Sequence, residues 1–166
     1  MINNNSILFG QKDHFAIEIK SGKGKKYKFR FWIKSTPIGS FTKSGELKYS
    51  IKAYKDFVGN KDSYYLPIFD HLTINRIYVY LTDVTLLLNG DSEGMAEFEK
   101  REKFYRFFGD QISNNTTIIL LYKSPNVIFL VSESGSEMAK GFEVVYDGFV
   151  KVFKQFVSYC ETNEII

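Results

Sequence analysis

The chain has 166 residues, 44% of them hydrophobic, 17% aromatic and 25% charged, with a net charge of +3. That is enough apolar material for a domain-sized core without covalent staples, and the single cysteine, Cys160, excludes an intramolecular disulfide framework. No stretch approaches the roughly 18 apolar residues of a membrane span, and Met1–Gln11 lacks the pattern of a secretory signal, so a cytoplasmic protein is expected.

The first elements form a hairpin. Phe15, Ile17 and Ile19 alternate with Ala16, Glu18 and Lys20 within His14–Lys20. Tyr27, Phe29, Phe31 and Ile33 alternate with Lys28, Arg30, Trp32 and Lys34. A period of two predicts half-buried strands, and Gly22 and Gly24 suit the reversal between them. Pro37 and Gly39 punctuate a second turn, after which Ile38–Thr42 is expected to return as a short third strand. Ser44 is the expected N-cap of a helix whose Leu47, Ile51, Tyr54 and Val58 share one face and which Gly59-Asn60 ends.

The middle reads two ways. Ile77, Leu81, Val84 and Leu88 suit a helix over Ile74–Leu88, whereas the run Arg76–Leu81 suits a strand equally well. Asn89–Gly94 is expected as a loop. A second helix is predicted from Met95 to Phe108, with Phe98, Tyr105 and Phe108 as its stripe and Gly109 as its stop. Thr116–Lys123 and Val127–Glu133 read as strands joined at Ser124-Pro125-Asn126, and Phe142–Tyr146 as another. Asp147 is the expected cap of a last helix carrying Phe149, Val152, Phe153, Phe156, Val157 and Cys160 on one face.

Neither an internal repeat nor a linker divides the chain, so residues 1–166 are expected to form one domain. Hairpins with helices between and after them predict an α+β fold: an antiparallel sheet with helices packed mainly on one face. A nucleotide-binding parallel sheet is not expected, because no βαβ run with a glycine-rich turn is present.

The residues give little material for catalysis. His14 and His71 lie far apart and belong to no metal-ligand pattern. Cys160 sits on an apolar helix face, as a structural thiol does. Ser132, Ser134 and Ser136 lack a nucleophile elbow, and Gly22–Lys26 lacks the spacing of a phosphate loop. Neither enzymatic activity nor a cofactor is expected. Charge says more. Residues 1–60 hold 12 Lys and Arg against 4 Asp and Glu, a net of +8, whereas residues 61–166 carry a net of −5. Residues 62–99 hold seven acids against Arg76 alone, a single-sign stretch able to steer an oppositely charged partner. Glu93, Glu97, Glu99 and Glu102 could supply paired carboxylates, but they are interleaved with Lys100, Arg101 and Lys103 on a helix, and surface pairing at i, i+4 explains most of that pattern. The basic hairpin of residues 20–34, with Trp32 among its lysines, offers an alternative: a small nucleic-acid-binding module. The competing reading is an edge hairpin guarded by lysines.

The stretch Phe9-Gly10-Gln11-Lys12-Asp13-His14-Phe15-Ala16-Ile17-Glu18 resembles the opening of a group of bacterial immunity proteins, as does Phe31-Trp32-Ile33 followed by Pro37-Ile38-Gly39. The ending, Phe142–Tyr146 leading into Asp147 and an amphipathic helix, is similar to theirs in pattern. The resemblance implies an α+β protein that binds and neutralises the C-terminal domain of a cognate toxin, in contact-dependent growth inhibition or a related polymorphic-toxin system. Many such toxins are nucleases with basic clefts, which an acidic surface would cover. The expected charged contacts are therefore Asp83, Asp91, Glu93, Glu97 and Glu99. Tyr78 and Tyr80 are the expected aromatic anchors, since tyrosine is enriched at interface hot spots. On this reading neither a membrane nor nucleic acid is a direct partner.

Overall fold

The computed structural model describes residues 6–39, 41–83, 85, 91–109, 112, 115–133, 135–136 and 138–166. Its strands lie in two antiparallel sheets. The first, β1 (Ile7–Gln11), β2 (Phe15–Ser21), β3 (Tyr27–Ile33) and β4 (Thr36–Ile38), is a meander in chain order. The second consists of β5 (Thr116–Lys123), β6 (Asn126–Glu133) and β7 (Lys140–Val145). The helices are α1 (Lys48–Gly59), α2 (Ile74–Thr82), α3 (Ser92–Glu102) and α4 (Tyr146–Thr162), with short 3-10 turns at Lys61–Ser63 and Pro67–His71. The α+β class is as expected.

The period-two alternation sorts the first sheet into two faces. Ile17 lies opposite Phe9 and Phe31, and Ile19 opposite Ile7 and Phe29, so this row is apolar across three strands. It packs on α4 and on the second sheet: the Phe15 ring lies 5.4 Å from Phe149 and 5.7 Å from Phe129. Helix α1 joins from the side, where Tyr54 stacks on Phe153 at 4.5 Å with the rings 2° from parallel. The buried residues of both sheets and the helices form one aromatic-rich cluster. On the other face Glu18 lies opposite Leu8 and Arg30, Lys20 opposite Lys28, and Ala16 opposite Trp32.

Several boundaries differ from expectation. Strand β1 was not foreseen; it enters the sheet through Gly10 at φ +86°, a conformation natural to glycine. The third strand is Thr36–Ile38, not Ile38–Thr42, because Lys34 and Ser35, at φ +48° and +64°, reverse the chain immediately after Ile33. Pro37 therefore lies within an edge strand, where it is tolerated. Lys34 falls in the turn and does not share the strand face of Trp32. Ser44 is not a cap: α1 starts four residues later, after Gly45 pairs with Tyr27. Asp147 is likewise inside α4, in the first turn, with Val145 at the cap position; its charge still complements the helix dipole there.

Ile74–Thr82 is a helix, capped by the Thr73 hydroxyl accepting from the Arg76 N–H at 3.4 Å. Val84 and Leu88 lie outside the described residues. Of the expected loop Asn89–Gly94, Asn89 and Gly90 lie outside the described residues, and Ser92–Gly94 already belong to α3. That helix ends at Glu102 rather than Phe108. After a turn at Lys103-Phe104 the chain bridges to β5 at Tyr105: the Leu120 N–H donates to the Phe104 carbonyl at 3.1 Å, and the Arg106 N–H to the Ile118 carbonyl at 3.0 Å. Pairing with β5 satisfies this backbone while Phe104 and Phe108 still reach the core, so helical spacing misreads the stripe.

Candidate partner-binding surfaces

Helix α2 sends Ile77, Tyr78 and Leu81 into the core and leaves Val79 54% exposed. Its half-buried Tyr80 turns toward α3. The Tyr80 hydroxyl donates to Glu97 Oε1 at 2.9 Å, and Arg101 donates to the same oxygen from Nε at 3.1 Å and Nη2 at 3.0 Å. Arg101 Nη1 donates back to the Tyr80 carbonyl at 2.6 Å, and its guanidinium sits 3.9 Å from the Tyr80 ring centroid. Arg101 is 8% exposed. The hydrogen bonds from Tyr80 and Arg101 hold the Glu97 carboxyl below its usual range. Tyr80 and Glu97 thus join α2 to α3. The spacing of Glu97 and Arg101 is legible as an i, i+4 pair, but the burial of the arginine is not.

The other expected contacts are dispersed around this joint. Asp83 follows α2 and accepts from the Thr85 N–H at 2.9 Å and its hydroxyl at 2.6 Å, which lowers its pKa. Asp91 caps α3 by accepting from the Gly94 N–H at 2.6 Å. Asp91, Glu93 and Glu99 are exposed, as is Met95 on the same helix. Tyr78 is 8% exposed and belongs to the core. Two further acids of the stretch are paired: Asp62 with Lys61 at 2.6 Å, and Asp70 with Lys123 and the Tyr65 hydroxyl. Among the described residues, the exposed carboxylates of the acidic segment that make no ion pair are therefore Asp91, Glu93 and Glu99, at the start of α3 and along it.

The outward face of the first sheet has the opposite charge. Glu18 is only 5% exposed, and its Oε2 accepts from Arg30 Nε at 2.8 Å and Trp32 Nε1 at 2.7 Å. Burial alone would raise this carboxyl, but hydrogen bonds from Ser6, Trp32 and Arg30, with the arginine's charge, outweigh it and leave the pKa lowered. Lys12 Nζ lies 4.1 Å and Arg30 Cζ 4.6 Å from the Trp32 ring centroid, both within cation–π range. The Lys12 contact has no signal in sequence, because β1 and its turn bring it there from outside the hairpin.

Little else suggests chemistry. A cleft of about 780 Å³ lies between the β1–β2 turn and the start of α4, lined in part by Asp13, His14, Lys34, Glu143 and Lys151. Among the described residues that line it there is no serine, threonine or cysteine. Burial pushes the Cys160 thiol up to about 12, so it is protonated at neutral pH and a poor nucleophile. No described helix is long and apolar enough to cross a membrane.

The fold is similar to that in the crystal structure of CdiI from Burkholderia dolosa AUO158, with a TM-score of 0.67 and 12% sequence identity over 92% of this chain and 99% of that one. At that identity the likeness speaks for the fold alone. No curated protein matches the chain significantly. The family described as Immunity protein 42 matches residues 1–159, nearly the whole of the chain, and the protein belongs to that family.

Proposed function

We propose that this immunity protein neutralises its toxin by covering it, with α3 and the exposed part of α2 as the contact, in the cytoplasm of a bacterium that uses contact-dependent growth inhibition or a related polymorphic-toxin system. The observation that carries the proposal is the set of solvent-facing carboxylates Asp91, Glu93 and Glu99, none in an ion pair among the described residues, beside exposed Met95, with Val79 exposed on the neighbouring helix. Charged groups around apolar ones are the composition of a recognition patch: the rim charges steer the encounter and the desolvated centre holds it. A nuclease toxin fits best, since its basic cleft complements this edge. Inhibition by binding needs no cofactor and no turnover.

Co-expression of the chain with the toxin encoded beside it tests the reading. A stable complex and restored growth are expected. Restored growth with no complex, or a chemically altered toxin recovered after incubation, would mean that the protein acts by some route other than covering its target.

A further inference from the structure

The acidic edge leaves the outward face of the first sheet without a role. We propose that this face, centred on Lys12, Arg30 and Trp32, is a second recognition surface that takes an acidic, extended stretch of polypeptide. It goes beyond the α3 reading: it lies on other elements and carries the opposite charge.

Charge is the first argument. Lys12, Lys20, Lys28 and Arg30 converge here, and the acid among them, Glu18, is already engaged by Arg30 and Trp32. Lys12, Lys20 and Lys28 make no ion pair among the described residues. The face therefore carries uncompensated positive charge.

Preorganisation is the second argument. Arg30 is pinned by a hydrogen bond of 2.8 Å from Nε to Glu18 Oε2 and an ion-pair contact of 2.8 Å from Nη2, and Trp32 by a hydrogen bond of 2.7 Å to the same oxygen. Arginine and tryptophan are the side chains most often found at binding hot spots, and here their rotamers are set before a partner arrives. Among the described residues Arg30 Nη1 makes no hydrogen bond and so can serve a new acceptor; the guanidinium also lies 4.3 Å from the Phe41 ring centroid, and the side chain is 23% exposed.

Spacing gives the partner its form. Lys28 and Arg30 are two residues apart on β3, about 7 Å at the rise of a strand. Carboxylates at alternate positions of an extended peptide have the same repeat. The Trp32 ring argues against nucleic acid. Stacking a base requires a free ring face, and this ring already has Lys12 and Arg30 over it. A carboxylate instead needs those cations where they are.

Trp32 is the sole tryptophan, so its fluorescence reports on this face specifically. The full chain is titrated with an alternating Glu-Ser peptide, an alternating Lys-Ser peptide and a single-stranded oligonucleotide of matched charge. A saturable change with the Glu-Ser peptide alone is expected, weakening about tenfold as salt rises from roughly 50 to 300 mM. The Lys12→Glu/Lys28→Glu variant should lose at least about tenfold in peptide affinity and keep toxin neutralisation. If its circular dichroism departs from that of the parent, Lys12→Ala/Lys28→Ala takes its place. No saturable change, tighter binding of the oligonucleotide, or unchanged peptide affinity in the variants would overturn the proposal. Neutralisation is assayed separately, so failure here leaves the α3 reading untouched.

Discussion

Tyr80 donates its phenolic hydrogen to Glu97 at 2.9 Å, and through that bond α2 holds α3. Arg101, largely buried, leans on both partners. The trio is therefore a structural joint, and its substitutions should lower stability before they alter recognition. Tyr80→Phe removes one hydrogen bond and should cost about 0.5–1.5 kcal/mol. Glu97→Ala leaves Arg101 without its carboxylate. Since Glu97 is one-third exposed and water can substitute in part, roughly 1–3 kcal/mol is expected. Urea unfolding measures both. An unchanged midpoint for Glu97→Ala would show that the joint contributes nothing.

Acid should loosen the first sheet. The folded-state pKa of Glu18 lies below its unfolded value of 4.5, so the unfolded chain binds the proton more readily. Stability from this group is complete above that value and is lost as pH falls below it. Trp32, bonded to the same carboxylate, should report the change in its fluorescence. Glu18→Gln should flatten part of the acid limb; the lowered pKa values of Asp70, Asp83 and Glu97 account for the remainder. An acid limb identical in the variant would contradict this assignment.

Alkali acts most strongly through two acids, buried Cys160 and half-buried Tyr105, with smaller contributions from other tyrosines raised by burial. Burial raises Cys160 from 9.0 to about 12 and Tyr105 from 10.0 to about 12. Between the unfolded and folded values only the unfolded chain releases the proton, so stability falls as pH rises from about 9 to about 12. Cys160→Ala should lower stability at neutral pH by roughly 1 kcal/mol through lost packing, yet show a shallower alkaline decline and full toxin neutralisation. Native protein should resist thiol reagents at pH 8. Rapid labelling under native conditions, or loss of protection in a folded Cys160→Ala variant, would give the thiol a role that its burial denies.

Local pattern made β2, β3, β5, β6 and α4 legible: β2 and β3 alternate in sequence, β5 and β6 are apolar runs of strand length buried on both faces, and α4 buries one helical face. What escaped depends on neighbours distant in sequence. The chain leaves the helix after Glu102 and bridges to β5 at Tyr105 because β5 offers it a partner, and no spacing within Met95–Phe108 encodes that. The two tyrosines of α2 are a sharper case. Two residues apart, they share a face in a strand but lie about 200° apart on a helix. The helix sends Tyr78 to the core and Tyr80 to α3, so an ambiguity in secondary structure became one in the site. The acidity of the segment was plain in sequence; which of its carboxylates already had partners was not.

Reversal of charge on α3 is the direct test of the toxin contact. Glu93 and Glu99 are the cleanest positions, being exposed on the helix surface. Asp91 also caps the helix, so Asp91→Lys carries a stability cost of about 1 kcal/mol that must be measured separately. Glu93→Lys/Glu99→Lys should slow association with the toxin and weaken its dependence on salt, because rim charges act mainly on the encounter. If one of them is desolvated against a toxin Arg or Lys, dissociation should also quicken, at roughly 2–5 kcal/mol. Glu97→Lys should behave differently, lowering the unfolding midpoint through loss of the Tyr80–Arg101 joint. Reversal of Lys23, Lys25 and Lys26 to Glu, at the tip of the first hairpin, should leave neutralisation nearly unchanged. Stopped-flow association at several salt concentrations separates these outcomes. Normal kinetics for the α3 variant, with impaired kinetics for the hairpin variant, would place the toxin on the basic half of the molecule.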